Sequence, residues 1–127
     1  MNTEQERKWA QAIVDRWAIE KLMSDRPEIQ FFNDEELPDG VYCRGSISLN
    51  EATWFRKDIS ERFWLLGHEF THWLQDMRNP DFESDNKFPE IQESDEYEAD
   101  TLGDKLAAKE MERWHHPGRY PVQPNLI

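Results

Sequence analysis

A single thiol, Cys43, rules out a disulfide framework and any cysteine-based metal cluster in this chain. It is expected to be a free, buried thiol with no catalytic part. Positive charge is also short. Fifteen Lys and Arg stand against 27 Asp and Glu, a formal net charge of −12, which argues against nucleic acid, since phosphate neutralisation needs basic residues in excess. The same imbalance steers toward basic peptides or a basic protein partner. Long apolar runs are missing too: no window approaches the roughly 20 residues of a membrane span. Residues 1–12 are mostly polar, so no signal peptide is expected and the reading is cytoplasmic, without membrane association. The acidic stretch 81–95 does not match the spacing of an EF-hand, so that form of calcium loop is not expected.

Large aromatics are plentiful instead, with six Trp and seven Phe in 127 residues. That length suits one modest core. A domain over residues 1–116, followed by an extended proline-rich tail over 117–127, is the expected division.

The central stretch is Phe63-Trp64-Leu65-Leu66-Gly67-His68-Glu69-Phe70-Thr71-His72-Trp73-Leu74. On a helix, His68 and His72 stand one turn apart, roughly 6 Å along the axis and about 40° around it. Two imidazoles so placed can share one tetrahedral Zn²⁺, with Glu69 on the neighbouring face within reach of a water. A carboxylate and two imidazoles within an apolar helix are costly to bury without partners, and a metal supplies one.

Upstream, Thr3-x-x-Glu6 reads as a capping box opening a helix to about Met23. Its stripe is Ala10, Ile13, Val14, Trp17, Ala18 and Leu22, a packing face. Glu28–Phe32 reads as a strand. Residues 41–44 and 46–49 read as one strand broken at Gly45, or a bulged edge strand, able to hold an extended peptide by main-chain pairing. Residues 50–57 are a connection. Asp58-x-x-Glu61 caps the histidine helix, which Asn79-Pro80 ends. After an acidic loop over 81–95, Ser94 caps a last helix from Asp95 to about Trp114. The expected fold is α+β: three main helices, with a small three-stranded sheet packed on the central histidine helix.

A catalytic zinc site needs a third protein ligand. The downstream candidates are Glu93, Asp95, Glu96, Glu98, Asp100, His115 and His116. Glu96 shares a helix face with Ala99, Asp100, Gly103, Leu106 and Ala107, groups suited to packing on another helix. Glu98 aligns with Thr101, Lys105 and Lys109, a solvent-type face, and stays the alternative ligand because Leu102 blurs the contrast. Asp100, one turn beyond Glu96, is placed to accept an N–H from a ligating histidine. His115 and His116 lie about 28 Å along a straight helix from Glu96, and suit the negative end of its dipole.

His68-Glu69-Phe70-Thr71-His72 with Glu96-Tyr97-Glu98-Ala99-Asp100 resembles the gluzincin zinc metallopeptidases, whose second motif is often Glu-x-x-Ala-Asp or Glu-x-x-Ala-Asn. The order of strand, histidine helix and Glu-Ala-Asp helix is similar to the ImmA/IrrE-type family, and the small size to the minigluzincins. The resemblance covers residues 46–110. It implies that Glu69 is the catalytic base, that His68, His72 and Glu96 bind Zn²⁺, and that peptide is the substrate. It also implies a place in phage or mobile-element circuits, where such relatives act near helix-turn-helix regions; no such region is seen in this sequence.

The implied reaction is peptide-bond hydrolysis with Glu69 moving the proton. Tyr97, His115, His116, Arg119 and Tyr120 are the candidates for stabilising the oxyanion, and spacing does not choose among them. Two other readings follow from the charge and the tail: a non-catalytic, zinc-stabilised acidic binding protein, and a latent protease blocked by its own C-terminal tail.

Overall fold

In the computed structural model, residues 2–78 and 93–115 are described. The expected end of the histidine helix at Asn79-Pro80, most of the expected loop over 81–95, His116, and the expected tail over 117–127, Arg119 and Tyr120 included, lie outside them. Helix α1 spans Thr3–Glu20, strand β1 Glu28–Phe32, β2 Gly40–Cys43 and β3 Ser46–Asn50. A short α2 (Glu51–Trp54) leads to α3 (Ile59–Arg78), and α4 covers Glu93–His115. The fold is α+β, with the three-stranded sheet in the order β1-β3-β2 lying against α3. Among the described residues no helix is long and apolar enough to cross a membrane.

Local chemistry sets each boundary. Asn2, not Thr3, caps α1: its Oδ1 accepts from Gln5 N at 2.9 Å, and Gln5 Oε1 accepts from Asn2 N at 3.0 Å. The capping box is one residue earlier than the sequence pattern implies. The helix also stops short of Met23. Leu22 takes a left-handed φ of 59°, Leu22 N donates to Ile19 O and Met23 N to Ala18 O, both at 2.9 Å. This is a Schellman ending built on leucine rather than glycine. Leu22 therefore leaves the apolar stripe and is 92% exposed.

The expected single strand at 41–49 is a hairpin. Arg44 (φ 49°) and Gly45 (φ 86°) form a two-residue turn with both φ values positive, and β2 returns antiparallel to β3. β3 also pairs with β1 in parallel, Ile29 opposite Ile47. Cys43 sits at the end of β2 and is exposed, not buried. The 50–57 connection contains α2, whose N-cap is the fully buried Asn50. Its Oδ1 accepts from Ala52 N, and its Nδ2 donates to the carbonyls of Asp34, Leu37 and Pro38. One side chain thus ties the acidic 33–39 loop to the end of β3.

The Asp58–Glu61 capping box at α3 is reciprocal, Glu61 N to Asp58 Oδ1 at 2.8 Å and Asp58 N to Glu61 Oε1 at 3.1 Å. α4 begins two residues before the expected Asp95. The core joins α1 to α3 and α4 through aromatic contacts. Trp9 stacks on Phe63 with centroids 5.5 Å apart, Trp9 meets Trp54 and Trp114 edge-on, and Trp17 meets Phe70.

Glu6 and Glu110 are buried against this aromatic core. Glu6 accepts from Trp54 Nε1 and pairs with Arg62, tying α1 to α2 and α3. Glu110, 0% exposed, accepts from Trp17 Nε1 and pairs with Arg16 and Arg113. Burying these carboxylates is tolerable because each has cationic and N–H partners.

Candidate metal centre

α3 is buried through its middle, so the side chains at 68, 69 and 72 are held by packing on several sides. α4 crosses it at Gly67 and Gly103. A Cβ on Gly67 would stand 2.8 Å from Gly103 O, and a Cβ on Gly103 would stand 2.9 Å from His68 N. The missing side chains let the two backbones touch next to His68, which brings the start of α4 over the histidines.

His68, His72 and Glu96 consequently offer ligand atoms all within 4.8 Å of one another. The two imidazole Nε2 atoms face each other at 3.2 Å, with the rings almost perpendicular at 87°. Glu96 Oε1 lies 3.2 Å from His72 Nε2, and Oε2 lies 3.3 Å from His68 Nε2. A proton on His68 Nε2 would satisfy part of this set; a divalent cation between the atoms satisfies all of it. Two imidazoles and one carboxylate form a donor set that suits zinc with a position left open for water.

His72 is 1% exposed, and its Nδ1 lies 2.7 Å from Gln75 Oε1. Burial holds its pKa below the usual histidine value, against the Gln75 hydrogen bond, which favours the neutral form that metals bind. His68 is half-buried, with Trp64 tilted against its ring at 5.2 Å. Asp100 Oδ1 approaches His68 Nδ1 to 3.0 Å, and Nδ1 makes no hydrogen bond among the described residues.

Glu69 is 5% exposed, and its Oε1 is 3.9 Å from His68 Nε2. Burial, reinforced by the charge of Glu96, pushes its pKa up to about 8, while the Tyr42 main-chain N–H opposes the shift. β2 reaches this carboxylate because Gly40 has no side chain: a Cβ there would stand 3.1 Å from Leu65 and 3.4 Å from Glu69.

The remaining candidates are dispersed. Glu98 turns toward α3 and accepts from Gln75 Nε2 at 3.0 Å while pairing with Arg78. Asp95 contributes its carbonyl to Gln75 Nε2 at 2.8 Å. Tyr97 is 75% exposed, and His115 lies exposed at the far end of α4. Gln75 and the Tyr42 N–H escaped the sequence reading. Gln75 carried a signal, a polar residue three positions after His72 on the buried side of an apolar helix; the main-chain group of Tyr42 carried none.

The centre matches the His-Glu-x-x-His zinc-protease motif with a distal glutamate. No protein-family model matches the chain, and no curated protein or solved structure is significantly similar to it.

Proposed function

We propose that this chain is a zinc-dependent metallopeptidase of the gluzincin type, hydrolysing peptide bonds with Glu69 as general base. The observation that carries this reading is the convergence of His68, His72 and Glu96 from two helices, with the buried Glu69 carboxylate beside them. His68, His72 and Glu96 would hold the ion. A zinc ion held there supplies Lewis acidity, makes a water acidic at neutral pH and favours the ionised form of Glu69 by its charge.

Glu69 then takes the proton of the attacking water and delivers it to the leaving amine. The Tyr42 N–H orients its carboxylate and stabilises the charge when the proton is away. Among the described residues β2 pairs with β3 alone, and its other edge lies toward α3, where the Tyr42 N–H meets Glu69. An extended peptide can use main-chain groups of that edge not taken by Glu69. With a net charge of −12, basic peptides or proteins are the favoured substrates.

The test is hydrolysis of a mixed peptide library by the zinc-loaded protein beside Glu69→Gln. Wild type should cleave; Glu69→Gln should keep its zinc and lose about 10²–10⁴-fold in rate. Hydrolysis that survives the substitution removes Glu69 as the base. A wild type that holds zinc, cleaves nothing and binds a basic protein tightly is the acidic binder instead.

A further inference from the structure

A chain of polar contacts runs from the surface of α4 to the metal-facing nitrogen of His72, and each link can point only one way. Arg78, at the end of α3, only donates, and it pairs with Glu98. The carboxylate oxygens of Glu98 accept from Arg78 and face Gln75. Gln75 is buried, and its Nε2 lies 3.0 Å from Glu98 Oε1 and 2.8 Å from the Asp95 carbonyl, both acceptors. The amide is thereby forced to present its NH₂ to α4 and its oxygen to His72 Nδ1, at 2.7 Å. His72 must then carry its proton on Nδ1, and Nε2 is left as a lone pair facing His68 Nε2 and Glu96.

We infer that Gln75 is a positioning residue for the metal centre, fixing the tautomer and orientation of His72, and that Glu98 serves the centre through Gln75. The inference rests on the metallopeptidase reading only for the identity of the ion; the tautomer it assigns belongs to the chain itself. It gives Glu98 a part distinct from a ligand. It also explains why α4 brings a second carboxylate two residues after Glu96 to the side of α3 beyond His72.

The test uses the full chain in three forms: wild type, Gln75→Leu, and the exchange Gln75→Glu with Glu98→Gln. In the exchange an acceptor still faces His72, while the new amide can donate to it and accept from Arg78. Ring ¹⁵N shifts of His72 in the metal-free protein report the tautomer, and competition titration with Zn²⁺ alone reports affinity. Wild type and the exchange should carry the proton on Nδ1 and bind zinc within a few-fold of each other. Gln75→Leu should shift the proton toward Nε2 and weaken zinc by about 10–100-fold.

A folded Gln75→Leu with an unchanged tautomer and wild-type affinity overturns the inference. So does a folded exchange variant protonated on Nε2, which decides the matter even where Gln75→Leu does not fold. Failure of wild type to bind zinc, with the tautomers as stated, sinks the metallopeptidase reading and leaves the positioning of His72 by Gln75 standing.

Discussion

Gly67 and Gly103 meet backbone to backbone: the Cβ that an alanine would add at Gly103 falls 2.9 Å from His68 N and 3.3 Å from Gly67 C. Both neighbours are main chain, so relief requires the helices to part. Glu96 rides on the same helix two turns earlier, and its distance from the histidines follows from this crossing. Gly103→Ala should cost about 1–3 kcal/mol of stability and weaken zinc binding as well. Thermal melts and a zinc titration on one preparation check both; unchanged affinity would mean that α4 is placed by other contacts.

The buried Glu69 carboxylate makes the metal-free protein sensitive to pH. Its pKa is raised from 4.5 to about 8, so the folded state holds a proton that the unfolded state has released between those values. The stabilising contribution is complete below about pH 4.5 and is lost as pH rises through about 8, of the order of 5 kcal/mol in all. Glu69→Gln should therefore flatten the difference in urea stability between pH 5 and 8 measured in chelator. Parallel profiles for the two proteins would contradict the burial argument.

Glu110 is surrounded by two guanidinium groups and an indole N–H deep between α1 and α4. Burial and the neighbouring Arg113 charge already push the pKa of Arg16 down to about 10. Glu110→Leu would take away the fully buried carboxylate that the two arginines share and leave them the part-exposed Glu20, and should cost about 3 kcal/mol in urea unfolding. A loss below about 1 kcal/mol would show that water or other groups compensate the arginines.

Leu22 is held in a left-handed conformation and touches little, at 92% exposure. Glycine adopts that φ freely, although it also gains entropy in the unfolded chain. Leu22→Gly should stabilise the protein by roughly 0.5–1 kcal/mol. A melting temperature that falls would mean that Leu22 contributes packing its exposure does not show.

The clustering of His68, His72 and Glu96 was legible in the sequence because helical periodicity fixes which residues share a face. His68 and His72 follow from their spacing, and the small residues at 99, 103 and 107 separated the face of Glu96 from that of Glu98. The hairpin was harder to read: Arg44-Gly45 lacks the Asn-Gly or Asp-Gly pair that usually signals a two-residue turn with positive φ. The end of α1 was hidden likewise by a leucine in a glycine's position. Buried Glu110 and Arg16 were illegible, since each looks like a surface residue until its partner, 94 positions away, is in place. The role of Gln75 lay in a network closed by α4, beyond what local spacing encodes.

The most direct test is the zinc content, by elemental analysis, of purified wild type beside Glu96→Gln and Glu98→Gln. The geometry predicts about one zinc per chain in wild type, loss in Glu96→Gln and retention in Glu98→Gln. Zinc lost from Glu98→Gln but kept by Glu96→Gln would move the third ligand to the other carboxylate. No zinc in any form, even after reconstitution, would contradict a metal centre at His68, His72 and Glu96.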